Sequence, residues 1–535
     1  MPTSMHRQPP CAAWLPWRSL LTLLVGCILQ ACTSLPAVHR GPASAALAAS
    51  PETELGRLAA SSVTGSIESG FRPLPLGALA MDARLALIER AQRSLDLQYY
   101  LLQSDVTGHT LLRAVRDAVQ RGVRVRLLVD DLYTADSRQM LQALAAYPHV
   151  EVRLFNPFAA GRAFAATRWG LALLDLARLN HRMHNKLFIA DGAFAIAGGR
   201  NIADEYFARS DQLNFLDFDL LIAGAAVPRL AATFDSYWNS ARVYPLQALE
   251  PPAASAAELR DQFEQLSADA VGAYPTPEPQ AAGPLGWLPL SADLQHPPLK
   301  LLKGHAEVFA DDPEKVSGRS ERGDDPTTVT ARVGAALNDA RFEWVMVSPY
   351  FVPSDLAMAD IGAARARGVR VEVMTNSLAS NDEPFASAAY GRHRKALLKM
   401  GVQLYETDAG LLGQDPLFRA SASHLFGRSH AKLLVIDRHL VYVGSMNLDL
   451  RSSRINTELG MLVDSAALAR QVLALADTVS TRASYRLQLD ATGDKLQWVL
   501  GHAGDEKVFD AEPAFDTATW LELLLFSPLV SDSLL

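Results

Sequence analysis

His184-x-Lys186-x-x-x-x-Asp191, followed by Gly198-Gly199-x-Asn201, recurs as His430-x-Lys432-x-x-x-x-Asp437, followed by Gly444-Ser445-x-Asn447. The copies stand 246 residues apart and every internal spacing matches. One H-x-K in an apolar run reads as a strand with two inward polar residues, but a duplicate with the same Asp, Gly position and Asn is hard to assign to chance. In an extended segment alternate side chains share a face, so each His points with its Lys. Gly199 and Ser445 let backbone approach a ligand, and Asn201 and Asn447 add amides that can donate to an anionic oxygen. Each copy thus supplies an imidazole, an ammonium and an amide. Two copies facing one another place two imidazoles on opposite sides of one phosphorus, with the cations and amides around its free oxygens. One His attacks in line while the other protonates the leaving alkoxide, and the roles reverse as the resulting phosphohistidine is transferred to an alcohol or water. Asp191 and Asp437 end their strands, where they either contact the reacting groups or pin the turn that carries the Gly position.

The elements around the motifs are duplicated too. Arg121-Gly122-Val123-Arg124-Val125 precedes the first His by 63 residues, and Arg367-Gly368-Val369-Arg370-Val371 precedes the second by the same distance. Each follows an amphipathic helical stretch, 111–120 or 356–366, and leads into an apolar strand, 123–129 or 369–374. That is a repeated helix-to-strand crossover. The period is too long for a solenoid and predicts two homologous α/β lobes, each a mixed sheet flanked by helices, related by a pseudo-twofold axis.

The repeated motif resembles that of the phospholipase D superfamily, and the likeness runs from about Gly77 to the C-terminus. Within the superfamily the chain resembles bacterial cardiolipin synthases that lack paired transmembrane helices. The resembling residues are Tyr99-Tyr100, Asp130-Asp131, Asn180-His181-Arg182-Met183, Asp311-Asp312-Pro313, the run from Ser348 to Pro353, the run from Thr375 to Asp382 and the apolar C-terminal tail. The resemblance implies a phosphatidyl transfer that needs no metal and no cofactor. It also implies that His184 attacks and His430 does the acid and base work. In related enzymes a carboxylate holds the imidazole by its other nitrogen. Glu458, 28 residues after His430, is placed for this, and Asp219 looks like its counterpart, with Asp217 a competitor because the first lobe carries extra residues before this strand. Arg182 and Arg428, each two residues before a motif His, either touch a lipid headgroup or form structural ion pairs.

The N-terminus sets the expected compartment. Arg7 and Arg18 precede an apolar run, 20–29, too short to span a bilayer, which ends in Leu29-Gln30-Ala31-Cys32. This resembles a bacterial lipoprotein signal, with cleavage before Cys32 and lipidation of its thiol, and predicts a protein anchored in the cell envelope and facing the periplasm. All three cysteines fall in this segment, so the mature chain has no disulfide. The expected organisation is a signal at 1–31, a flexible Ala/Ser/Pro-rich tether at 32–75, lobes at 76–245 and 301–535, and a linker at 246–300. The apolar end of the chain, 520–535, reads as a last helix docked on the second lobe in preference to membrane contact.

Composition narrows the reaction class. A formal net charge of −8 and no long Lys/Arg run give nucleic acid no electrostatic footprint, which disfavours a nuclease of this superfamily. No Cys/His cluster has zinc spacing. The expected substrates are phosphatidylglycerol and a second phospholipid such as phosphatidylethanolamine, met at a membrane surface by a monomer. A phospholipase that uses water shares every motif.

Overall fold

The computed structural model describes residues 35, 43–65, 67–159, 162, 168, 170, 175–212, 214–274, 285–317, 325–415, 427–501 and 504–513. The expected signal segment, the expected lipidation position Cys32 and the apolar C-terminal run lie outside these residues.

Lobe 1 contributes strands β1 (Ser69–Leu74), β2 (Ser94–Tyr99), β3 (Arg124–Asp130), β4 (Val150–Phe155), β5 (Leu187–Ala190), β6 (Phe194–Gly198), β7 (Asn214–Leu216), β8 (Asp219–Gly224) and β9 (Val243–Pro245). Lobe 2 contributes β10 (Leu302–Ala310), β11 (Glu343–Val347), β12 (Arg370–Asn376), β13 (Gln403–Thr407), β14 (Gly427–Ser429), β15 (Leu433–Ile436), β16 (Leu440–Gly444), β17 (Leu459–Asp464), β18 (Ser484–Leu489), β19 (Leu496–Leu500) and β20 (Lys507–Phe509). The main helices are α1 (Glu54–Ser62), α2 (Gly77–Arg90), α3 (Val106–Gln120), α4 (Thr134–Leu144), α5 (Ala226–Trp238), α6 (Ala256–Leu266), α7 (Val329–Asn338), α8 (Asp355–Ala366), α9 (Pro384–Lys399) and α10 (Ala466–Arg482).

Strand pairing makes the duplication visible. Lobe 1 runs β9-β4-β3-β2-β5-β6-β8-β1, and lobe 2 mirrors it as β10-β17-β16-β15-β11-β12-β13, extended by β18, β19 and β20. The β1–β10 pair fuses both halves into one 18-stranded sheet. Within this sheet, among the described residues, the parallel pairs are those of β2-β3-β4 and β11-β12-β13, which are joined by helical crossovers. The Arg-Gly-Val repeats end α3 and α8, with Gly122 and Gly368 at positive φ where each helix reverses into its strand.

One apolar core, including Leu187, Ile189, Leu433, Val435 and residues of α5 and α10, lies on the face the two lobes share. Separate cores sit beneath the outer helices of each lobe. The motif strands therefore read as apolar runs because they are buried on both faces.

Two expected connections turn out to be structured. Of the tether, α1 buries Leu55 and Leu58, and β1 is buried along its whole length between β8 and β10. Its Ala/Ser/Pro content concealed a six-residue strand. In the linker, α6 opens with a capping box at Ser255 and Glu258 and packs Phe263 into the lobe 1 core, while Asp293 binds the buried Arg72 at 2.6 Å.

Asp191 and Asp437, counted among the catalytic candidates, stand outside the active cleft. Each occupies a three-residue turn, joining β5 to β6 or β15 to β16, at φ of 52° and 48°. The Asp191 carboxylate accepts the backbone N–H groups of Gln92, Arg93 and Ser94, and Asp437 does the same for Arg341, Phe342 and Glu343. A short acceptor that tolerates positive φ suits this position, so the motif Asp ties the hairpin to the start of the neighbouring strand. Asp191→Ala should therefore cost about 2–4 kcal/mol of stability, since it leaves buried donors unpaired, and Asp437→Ala less because its turn is more exposed. Denaturant midpoints measure this, and the folded variants should keep their activity. A native midpoint with lost activity would return these residues to the chemistry.

Candidate active site

Both motif histidines line one cleft of about 520 Å³ between the lobes, and the segments that hold them are crossed. The residues before β5 and β15 are extended but do not join their own lobe's ladder. They pair with the other lobe instead. His184 N–H donates to Thr457 O at 2.9 Å, and Thr457 N–H donates to Arg182 O at 2.9 Å. On the other side β14 runs parallel to β7, and His430 N–H donates to Leu216 O at 2.7 Å. Each cross-lobe contact ends one residue before a carboxylate. Glu458, from lobe 2, accepts from His184 Nδ1 at 3.0 Å, and Asp217, from lobe 1, meets His430 Nδ1 at 2.7 Å. With Nδ1 engaged, Nε2 is the nitrogen left for chemistry.

Asp219 does not hold a histidine. Its carboxylate is buried against Arg84 at 2.9 Å and Arg200 at 3.2 Å. Strand register explains the difference. Gly198 pairs with Asp219 and Gly444 with Gly460, so the residue two positions before each, Asp217 or Glu458, is the true counterpart. Glu458 is also crossed relative to expectation, since it braces the His of the other lobe.

Gly199 and Ser445 lie behind the cleft, not in it. A Cβ on Gly199 would collide with the Asp217 carboxylate, and the Ser445 hydroxyl donates to Glu458. These positions accommodate the carboxylates that orient the rings, and the repeat solves the same packing problem with empty space in one lobe and a hydrogen bond in the other. Asn201 and Asn447 do line the cleft, each with a buried side-chain oxygen that has no partner among the described residues. The Asn201 amide nitrogen donates to the Tyr206 hydroxyl at 2.9 Å.

Charge in the cleft is closely balanced. Lys186 Nζ donates to His184 O at 2.7 Å and lies 5.2 Å from the centre of the Tyr100 ring. Lys432 Nζ lies 2.9 and 3.0 Å from the two ring nitrogens of His430. Burial pulls His184 down to about 4, against the Glu458 carboxylate. Glu458 is itself held at about 2, since the charges of His184 and Lys186 outweigh its burial. Burial and Lys432 push His430 well below the usual imidazole range, opposed by the Asp382 carboxylate. Burial lowers Lys432 to about 8, and burial together with the nearby Lys432 charge lowers Lys186 well below the usual ammonium range.

Several residues were not among the sequence candidates. Tyr100 presents its edge to His184 at 5.0 Å and Tyr206 to His430 at 5.1 Å, so each ring is walled by a tyrosine. Asp382 and Asp449 add carboxylates to the lining, Asp449 being raised to about 6 by burial. Asp130 accepts Met183 N–H at 2.8 Å, and Asn376 accepts Ser429 N–H at 3.0 Å. These two residues fix the backbone just before each His, and they stand at the repeat offset of 246, a signal available in the sequence. Arg182 is fully buried against Asp130 and is a structural ion pair, whereas Arg428 is half-buried near Asp382 and Tyr350. Among the described residues no cluster of His, Cys, Asp or Glu is arranged to hold a metal, and no helix is long and apolar enough to cross a membrane.

The family model described as "Cardiolipin synthase, PLD-like domain" matches residues 85–238 and 333–478. Cardiolipin synthase C of Escherichia coli (strain K12) is 34% identical over 460 residues, covering 86% of this chain and 94% of that protein. An uncharacterised protein of Helicobacter pylori (strain ATCC 700392 / 26695) is 30% identical over 74% of this chain and 76% of its own length. The crystal structure of phosphatidylserine synthase from Haemophilus influenzae Rd KW20 shares the fold, with a TM-score of 0.55 at 15% identity over 87% of this chain and 94% of that one. Two matched domains in one chain are the two lobes and the two motifs already described, and the chain belongs to the phospholipase D superfamily, in the family of cardiolipin-synthase-type PLD-like domains.

Proposed function

We propose that this protein is a phosphatidyl transferase that makes cardiolipin from phosphatidylglycerol and a second phospholipid, such as phosphatidylethanolamine. The observation that carries this reading is the crossed pair of His–carboxylate contacts at one cleft, together with the cardiolipin synthase relatives. His184 Nε2 forms a bond to phosphorus as the bond to the leaving headgroup oxygen, of glycerol or of ethanolamine, breaks, and His430 gives that oxygen its proton. His430 then takes the proton of the incoming hydroxyl, whose oxygen attacks phosphorus as the P–N bond breaks. Lys186, Lys432, Asn201 and Asn447 stabilise the charge on the non-bridging oxygens. A phosphodiester anion between the rings offsets the two ammonium groups and raises the pKa of the imidazole that must act as acid. The protein acts as a monomer, lipid-anchored through Cys32 at the periplasmic side of the cell envelope, and nucleic acid is not its substrate.

The direct test incubates purified protein with phosphatidylglycerol, with and without phosphatidylethanolamine, and identifies the products. Cardiolipin with release of glycerol or ethanolamine is expected; phosphatidic acid alone would make it a hydrolase.

Four variants test the roles. His184→Ala should abolish both turnover and any covalent phosphatidyl adduct, whereas His430→Ala should still be labelled on His184 by an analogue whose leaving group needs no proton. Label on His430 in the His184→Ala protein would exchange the roles. Asp217→Ala should slow turnover by about a thousandfold or more by freeing the His430 ring. Asp219→Ala should chiefly destabilise the fold by about 3–5 kcal/mol, because two buried guanidinium groups lose their partner. Equal kinetic losses in the two folded proteins would undo this distinction.

The pH dependence follows from the same groups. kcat/KM reports the free enzyme, so its acid limb should follow the proton that His184 gains near 4, and it should fall toward alkaline pH as the general acid His430 gives up its proton and, near 8, as Lys432 loses its own. Lys432→Arg keeps its charge through this range and should move the alkaline limb upward. An unmoved limb would take Lys432 out of the titration.

A further inference from the structure

The pseudo-twofold axis relates two outer surfaces that are treated differently. On lobe 1, α1 sets Leu55, Leu58 and Ala59 into a core shared with Leu87, Ala190, Phe194 and Leu221. The helix is held at its start by Glu54 N–H donating to Gln92 at 2.6 Å and by Glu54 to Arg90 at 3.2 Å. The chain before it covers the Asp191–Gly192 turn so tightly that a Cβ on Gly192 would strike Leu47 O. On lobe 2 the equivalent turn, Asp437–Arg438, leaves Arg438 exposed, and an open groove of about 860 Å³ lies beside it.

Strand register identifies that groove. With Gly198 equivalent to Gly444 and Asp219 to Gly460, Phe194 corresponds to Leu440, Leu221 to Leu462 and Ala190 to Ile436. Leu440, Leu462 and Ile436 all line the groove, with Ala336 of α7 and with Phe342, whose ring is 72% exposed. The groove is thus the lobe 2 copy of the seat that α1 fills on lobe 1. An amphipathic helix of two to three turns is the shape it accepts.

We propose that its occupant is this chain's own C-terminal segment, residues 519–527, which lies outside the described residues. The pattern of α1 is repeated there. Thr53 caps α1 and its buried residues Leu55, Leu58 and Ala59 follow at the second, fifth and sixth positions after the cap. After Thr519 the same positions are Leu521, Leu524 and Leu525, and Glu522 stands three residues after Thr519 as in a capping box. Both sets fall on one helical face.

The chain also leaves from the correct side. Glu512 is bound to Arg394 of α9 at 2.9 Å, and Arg394 pairs with Glu406 of β13 at 2.7 Å. α7 and α9 share one core, so Glu512 sits on the face that carries the groove. From β13 to β15 or β16 is three or four strand spacings, about 14–19 Å. Residues 513–518 span about 20 Å when extended. The tail therefore covers lobe 2 at the point where α1 covers lobe 1.

Hydrogen exchange on the full chain without lipid tests this. Peptides covering 519–527 should exchange at least tenfold more slowly than the same sequence as a free peptide. The protection should be independent of protein concentration. It should be lost in Phe342→Asp and in Ala335→Arg, which alter exposed groove positions, and in Leu524→Asp, which alters the tail alone. Free-peptide exchange rates, protection that persists in all three variants, protection that grows with protein concentration (a second copy's tail), or protection that appears only with phosphatidylglycerol vesicles (membrane contact) would each overturn the proposal.

Discussion

Each motif imidazole is held by a carboxylate from the opposite lobe, and this crossing governs how the rest of the chain is arranged. The His184–Glu458 and His430–Asp217 contacts are buried, so neither lobe can present a complete acid–base pair alone. Fixing them requires each segment before a His to lie along the segment before the other lobe's carboxylate, which the Thr457 and Leu216 backbone bonds provide. The continuous sheet through β1 and β10, and the apolar core between the lobes, hold those partners in register. The two buried ammonium groups and the two buried carboxylates offset part of one another's burial cost.

Duplication did not keep the halves identical. Asp130 and Asn376 hold the same backbone N–H in the two lobes, yet the first is charged and needs Arg182, whereas the second is neutral and also donates to Ser429 O at 2.8 Å. Gly199 makes room for a carboxylate where Ser445 bonds to one. Buried Arg84 and Arg200 surround Asp219, while its counterpart is Gly460. Each difference preserves the position of an imidazole while changing the means, as expected when packing constrains geometry more tightly than residue type.

The lobes and the paired motif histidines that line the cleft were legible in the sequence because spacing survives duplication: 246 residues relate His184 to His430 and also Asp130 to Asn376. The crossing was not legible, since a repeat says that two half-sites exist but not which partner serves which. Asp219 was preferred to Asp217 because the extra residues in lobe 1 break the count just where the carboxylate enters, and only strand register restores it. Asp191 and Asp437 share the motif's spacing for a structural reason, as acceptors at a tight turn, and sequence pattern cannot separate that from chemistry. β1 was hidden by Ala, Ser and Pro neighbours that resemble a tether, because its burial comes from strands far away in the chain.

The central claim is that two half-sites act in succession on one phosphorus. The stereochemical course of the reaction tests it most directly, with a phosphatidyl donor made chiral at phosphorus by isotopic oxygen or sulfur. Two in-line displacements, one by an imidazole and one by the acceptor, each invert the centre, so the account predicts net retention of configuration in the product. Net inversion would mean a single direct displacement and would contradict it.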